Sequence, residues 1–254
     1  MKRLTPPCAL VRRNALSIVC VAAVLVLTSC TVPVSGVPTA VAGSAPTSGQ
    51  VAPSSSGSPS SDSSLIVTSV VPGWNTVRSV KRAALYDVPP DWTVNSEDTL
   101  VGYQAKDGKL LVGATGSASV GDDACGKNMS LAISAVKHST DADLAGSSKS
   151  IALEWADAAF RDEKDTRPTI RAGRPEHITT LTGKPAVIVK VDATAARTTG
   201  TCGLKGAVYA VSATGFTGEL GPTAILVVVA GSGFDRAVPE PEIRQILSTL
   251  RPEK

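Results

Sequence analysis

Ile225-Leu226-Val227-Val228-Val229 and, earlier, Val187-Ile188-Val189-Lys190-Val191 decide the fold. Both are β-branched runs without alternation of apolar and polar residues, the pattern of strands covered on both faces at the centre of a sheet. Around them, apolar stretches bounded by Gly, Pro, Asp or Asn recur over residues 83–88, 99–104, 110–115, 131–136, 177–181, 187–192, 207–212 and 225–230, and read as strands. Two helices are available to cover the sheet. The first runs from about Asp141 to Phe160, with Leu144, Ile151, Trp155 and Ala158 at helical spacing, Thr140 as N-cap, Gly146 weakening the first turns and Pro168 barring continuation. The second runs from about Pro239 to Leu250, with Ile243, Ile246, Leu247 and Leu250 on one stripe and Arg251-Pro252 as its stop. Strands in a meander with a mid-chain helix and a C-terminal helix predict an α+β fold, a mostly antiparallel sheet layered with helices and not a βαβ repeat. Residues 72–254 form the expected globular domain, large enough for one sizeable core.

Ahead of that domain stands an address. Lys2, Arg3, Arg12 and Arg13 precede Ala15 to Leu27, a run without charge, Pro or Gly. It is shorter than the roughly 20 apolar residues a spanning helix needs and gives way to small polar residues, as a cleavable export signal does. Leu27-Thr28-Ser29-Cys30 then resembles the acylation motif of bacterial lipoproteins. That resemblance implies a signal peptide over residues 1–29, removal of it, and a mature chain beginning at a diacylated Cys30. Two acyl chains would hold it stably on a membrane. Asn14-Ala15 after Arg12-Arg13 is a poor twin-arginine continuation, so ordinary secretion is expected. From Cys30 to about residue 71 the chain is mostly Ser, Pro, Gly and other small residues, the composition of a flexible tether.

Loss of residues 1–29 removes four of the 25 Lys and Arg and no acidic residue, leaving 21 basic against 22 acidic groups. The mature chain is thus near neutral, and neither its charge nor its compartment suggests nucleic acid. Cys8 and Cys20 leave with the signal and Cys30 is taken by lipid, so Cys125 and Cys202 are the remaining thiols. In an oxidising compartment two remaining thiols suggest one disulfide, the alternative being two separate buried cysteines.

Leu85-Tyr86-Asp87-Val88-Pro89-Pro90-Asp91-Trp92 resembles the opening hairpin of PsbP-like α/β/α domains, and Ile243 to Pro252 is similar to their closing helix. With its tether and paired cysteines the chain resembles an uncharacterised lipoprotein domain family of actinobacteria, mycobacteria and their relatives. The likeness covers residues 73–252. It implies an α/β/α sandwich and a non-catalytic binding or assembly module, and it transfers no active-site residue.

Motifs that would carry chemistry are incomplete. Gly121-Asp122-Asp123-Ala124-Cys125-Gly126-Lys127-Asn128 fits a phosphate loop by spacing, but Asn128 replaces the magnesium-binding hydroxyl, two aspartates would repel phosphate, and a strand rather than a helix follows. Asp141-Ala142-Asp143 with Gly146 begins like a calcium loop, yet Ala145 and Ala152 occupy ligand positions, so the aspartates read as helix N-terminal carboxylates. His138 and His177 stand in no HExxH pattern and read as surface histidines, and no GxSxG elbow occurs. Trp92 and Trp155 read as core anchors, while Trp74 at the tether junction could be an exposed contact.

No cofactor, metal set or catalytic residue is expected. The favoured function is a lipid-anchored, non-enzymatic module on the outer face of the cytoplasmic membrane, held there by its N-terminal lipid and docking an envelope protein or cell-wall component. Two alternatives remain: a carrier of an apolar ligand, promoted by an empty apolar cavity, and a hydrolase, promoted by a histidine within reach of a Ser and a carboxylate.

Overall fold

A computed structural model describes residues 68–127, 129–197 and 202–253. The signal peptide, Cys30 and nearly all of the expected tether lie outside the described residues.

In chain order the elements are β1 (Asn75–Ser79), a 3-10 turn (Val80–Arg82), β2 (Ala84–Val88), β3 (Thr93–Val94), β4 (Val101–Gln104), β5 (Leu110–Val120), β6 (Ala132–Ser139), α1 (Leu144–Ala159), β7 (Thr169–Ala172), β8 (Glu176–Thr179), β9 (Pro185–Thr194), β10 (Lys205–Thr214), β11 (Thr223–Ser232), α2 (Glu240–Ser248) and β12 (Arg251–Pro252). The fold is α+β, as the strand and helix order predicts. The main sheet runs β3-β5-β6-β11-β10-β9-β7 with every pairing antiparallel; β4 shares an edge of β5 with β3, and β8 shares an edge of β9 with β7. A small sheet, β1-β2-β12, stands apart from it.

The two apolar runs lie where their composition places them. β9, β10 and β11 are mutual neighbours, and the first eight residues of β11 are all buried. One face, carrying Val189, Val191, Val208, Val227 and Val229, packs under α1. The other, carrying Ile188, Val211, Leu226 and Val228, packs against α2 and the small sheet, where Tyr86 and Trp92 are enclosed. Helices and small sheet thus cover both faces, which is why the central strands need no polar side.

α2 buries Ile243, Ile246 and Leu247, and Leu250 follows them inward, the stripe that the sequence shows. α1 departs from expectation. Its N-cap is Asp143, not Thr140: the Asp143 carboxylate accepts from the N–H groups of Ala145 and Gly146, at 3.1 Å each. Gly146 does not simply weaken that turn, because a Cβ there would stand 2.5 Å from Asp143 Oδ2; the glycine makes room for the cap. The buried face of α1 is Ser147, Ser148, Ala152, Trp155, Ala156 and Ala158, whereas Leu144 and Ile151 are only half-buried. Small residues let the helix lie close to the sheet. Ser148 Oγ donates to Val187 O at 2.9 Å and lies 2.8 Å from Ser212 Oγ, which donates to Leu144 O at 2.7 Å, so the buried hydroxyls are satisfied.

The small sheet is organised by a buried ion pair. Asp87, fully enclosed, accepts from Arg251 Nη2 and Thr76 Oγ1 at 2.9 Å each and from the N–H of Val70 at 2.8 Å. Arg251 in turn donates to the carbonyls of Thr249 and Thr68. The chain is therefore held to the domain from Thr68 onward. Arg251-Pro252, expected only as a helix stop, also forms β12 against Leu85 and Ala84.

Asp87→Ala leaves the Arg251 guanidinium buried without a carboxylate, and a loss of about 3–5 kcal/mol of unfolding free energy is expected. Urea titration followed by tryptophan fluorescence measures it; a loss under 1 kcal/mol would show that the pair does not organise this region.

Candidate functional site

α1 is shorter than the strands beneath it. At about 1.5 Å per residue its 16 residues span roughly 24 Å, while the ten-residue strands β9, β10 and β11 each span roughly 33 Å. Beyond its C-terminus, part of the α1-side face of the sheet has no helix over it. A cleft of about 400 Å³ occupies that place.

Its floor includes Ile133 of β6 with Val229 and Gly231 of β11; Ala159 and Phe160, at the end of α1, bound one side, and Val101, Gly102 and Tyr103 of β4 another. Phe160, the C-cap of α1, packs against the sheet at Gly206 of β10, where a Cβ would overlap the ring. Tyr103 meets the edge of Trp155 at 6.1 Å between ring centres, nearly perpendicular, so β4 is braced against α1. Burial pushes the Tyr103 hydroxyl pKa well above its ordinary 10 and keeps it neutral.

The remaining wall consists of two loops joined covalently. Cys125, between β5 and β6, is disulfide-bonded to Cys202, between β9 and β10, across 77 positions of chain. Both cysteines line the cleft, together with Met129, Ser130 and Leu131 from one loop and Gly203 from the other. The two thiols that the cysteine count pairs are thus bridged, and the bridge stands in the wall of the cleft. Lys205 is the one charged side chain among the described residues that line the cleft.

The other sequence candidates disperse. Gly121 to Lys127 forms turns leading toward β6 with Cys125 bridged, and Asn128 lies outside the described residues; no helix N-terminus faces that loop. Asp141 accepts from the N–H of Asp143 at 2.9 Å, so both aspartates serve the start of α1. Among the described residues no three His, Cys, Asp or Glu side chains gather as metal ligands. His177 is exposed on β8. His138, half-buried on β6, borders a smaller hollow of about 190 Å³ with Ser139, Asp141, Ser147 and Ser150, but its Nδ1 has no hydrogen-bond partner, and Ser147 Oγ donates to Ser139 Oγ at 3.0 Å. A Ser–His pair is not assembled there. Desolvation first, then the positive charges of Arg82 and Lys137, holds the His138 imidazole below its ordinary 6.5. Trp92 and Trp155 are enclosed, and Trp74 is half-buried against the same core as Trp92 rather than a free contact.

A polar network on the far side of the sheet binds α2 down. Lys190 donates to Glu240 at 2.8 Å and stands 5.4 Å above the Tyr209 ring, and Arg244 links Glu240 to Glu176. Its members are paired with one another, which makes it a fastening and not a vacant site.

Residues 67–254 match the family model described as a domain of unknown function, DUF8017. No curated protein matches the chain.

Two measurements follow from this geometry. Replacing both cysteines by Ala removes a long cross-link, and a loss of about 2–4 kcal/mol in urea is expected, together with faster amide exchange concentrated in residues 121–131 and 195–205. A uniform change over the sheet would contradict the placement of the bridge in the cleft wall. For His138 the folded pKa lies below the unfolded one, so the unfolded chain binds the extra proton first. Stability is therefore full above pH 6.5 and falls as acid is added from 6.5 toward the depressed folded value; His138→Gln should flatten that slope in thermal melts between pH 5 and 7, and an unchanged slope would refute the assignment.

Proposed function

We propose that this chain, which belongs to the DUF8017 family, is a lipid-anchored extracytoplasmic binding protein whose folded head takes a small ligand in the cleft beside the disulfide. The observation that carries this reading is the cleft itself. Its volume lies within the range of small-molecule sites, and it is walled by a helix cap, a braced edge strand and two cross-linked loops, so it is formed before any ligand arrives. Prior formation lowers the ordering cost of binding.

The address rests on different residues. Leu27-Thr28-Ser29-Cys30 supports acylation, and a disulfide between Cys125 and Cys202 is at home in an oxidising compartment. Among the described residues no helix is long and apolar enough to cross a membrane. In this reading the lipid on Cys30 makes the attachment. The composition of residues 31–67 suits a tether between that lipid and the head.

The cleft moves the emphasis from docking a large envelope partner toward holding a small molecule near the membrane. Chemistry on that molecule is not part of the proposal, since the lining offers no assembled nucleophile and base.

Export of the full chain in a bacterial host tests the address. The chain should partition into the detergent phase of Triton X-114 with an intact mass fitting a diacylated Cys30, and Cys30→Ala should move it to the aqueous phase. A Cys30→Ala chain that still partitions with detergent would refute the anchor.

A further inference from the structure

Deepening the reading of the cleft as a ligand site, we infer that its ligand is a single-chain amphiphile, with an apolar tail along the sheet floor and an anionic head at Lys205. Three observations fix the class. The first is the state of the polar lining. Asn95 already donates to Ser117 Oγ at 3.1 Å, and Ser130 donates to Asp122 at 2.7 Å, so two of the four uncharged hydroxyl or amide side chains are engaged elsewhere. Ser119, itself buried, and the Tyr103 hydroxyl remain, too few to replace the water that the several hydroxyls of a sugar or nucleotide would lose.

The second is apolar surface facing the cleft. Val101, Tyr103, Leu131, Ile133 and Phe160 line it and are only half-buried, so they present a contiguous apolar surface to the opening. At the mouth the apolar surface continues outward: Leu100 lines the cleft at 60 % exposed, and Leu204, between lining residues Gly203 and Lys205, is 37 % exposed. A tail laid over these groups removes both surfaces from water. The volume limits it to one chain. At roughly 30 Å³ per water-sized group the cleft holds about a dozen such groups, a single tail and not two.

The third is charge. Lys205 is the sole charged side chain among the described lining residues, it stands exposed at the start of β10, and among the described residues no carboxylate forms an ion pair with it. Among the described residues no Asp or Glu lines the cleft itself, and the nearby Asp122 carboxylate is engaged by Ser130. An anionic head is the complement of that rim, and a cationic head is not.

The experiment uses the exported Cys30→Ala chain, free of detergent, with alkyl phosphates from octyl to hexadecyl, each below its micelle concentration. Binding is read by displacement of the neutral probe N-phenyl-1-naphthylamine and by calorimetry. Affinity should rise about fourfold per methylene, the equivalent of burying one such group, and stop rising near dodecyl, where the cleft is full. Alkyl trimethylammonium ions of equal length should bind about two- to fivefold more weakly, and Lys205→Met should abolish that preference while leaving the length dependence intact. Ala159→Trp, which fills the cleft from a half-buried helix position, should weaken dodecyl phosphate at least tenfold; circular dichroism confirms that this variant is folded, and Val101→Trp repeats the test from β4.

An affinity that climbs through hexadecyl without a break would mean adsorption to a surface and would overturn the inference, as would equal binding of the cationic series. If the probe binds saturably and is lost in Ala159→Trp but alkyl phosphates do not displace it, the ligand class is wrong and the cleft remains a small-molecule site. If the probe itself does not bind, the cleft reading fails and this inference fails with it.

Discussion

The carboxylate of Asp87 is wholly buried and holds three separate parts of the chain at one point. Thr76 of β1, the main chain at Val70, and Arg251 of β12 donate to it, while the Asp87 N–H donates to Thr249 Oγ1 just past α2. An ionised group in that position costs several kcal/mol unless its lone pairs are answered, and here three donors answer them. The consequence is geometric. Residues near 70 and residues near 250 can be brought together because each satisfies the same charge, so the small sheet closes over Tyr86 and completes the α2-side core. Tyr86 is fixed in turn by the main sheet, its hydroxyl lying 2.9 Å from Ser134 Oγ and donating to Gly116 O. Gly116 permits this contact, because its φ of +62° and the Ser79 side chain 2.5 Å from a would-be Cβ both exclude a larger residue.

The two faces of the main sheet are therefore built differently. One is sealed by many contributors: α2, the small sheet, Trp92 with its Nε1 directed to Glu242, and the Lys190–Glu240–Arg244 network. The other depends on a single helix whose buried residues, Trp155 apart, are small. That helix is tied to the sheet at its start through Ser148 and Ser212 and pressed down at its end by Phe160 over Gly206. Past Phe160 neither helix nor strand covers the sheet, and the gap between helix length and strand length becomes the cleft. The same shortfall that would be a packing fault in a sealed domain is what gives this one an interior surface reachable from water.

How much of this was legible in the residues depended on whether the signal was apolar or polar. Ile225 to Val229 and Val187 to Val191 announced central strands because hydrophobic runs have few other uses. The α2 stripe was equally plain. The buried face of α1 was misread toward Leu144 and Ile151, since Ser147 and Ser148 look like surface residues until Val187 O and Ser212 are brought to them from distant chain. Strands β1, β3, β7 and β12 carry two to five residues with little apolar content, and they exist by pairing with more apolar neighbours rather than by their own propensity. Nothing near Asp87 in the chain signals its role, because its partner Arg251 lies 164 positions away. The cleft was not legible at all. Its lining is a set of ordinary residues from loops, edge strand and helix end, and only the relative lengths of α1 and the strands create it. The cysteine count could point to a bridge but not to its position beside that opening.

That position bears on how the site keeps its shape. Among the described loop residues 121–127, 129–131, 195–197 and 202–204 none belongs to either apolar core, so hydrophobic burial alone gives them little reason to stay in one arrangement. Backbone hydrogen bonds from Leu131 to Val120 and from Ala195 to Leu204 close the bases of the two loops, and the disulfide joins one loop to the other. A cross-link acts on such segments more than on the sheet, because it restricts chain that packing leaves free. The bridge thus holds a wall of the cleft in the one place where the domain has no helix to do it. A pre-set wall lets the apolar floor stay open to water without collapsing onto itself, and an open apolar floor is the feature a ligand must cover.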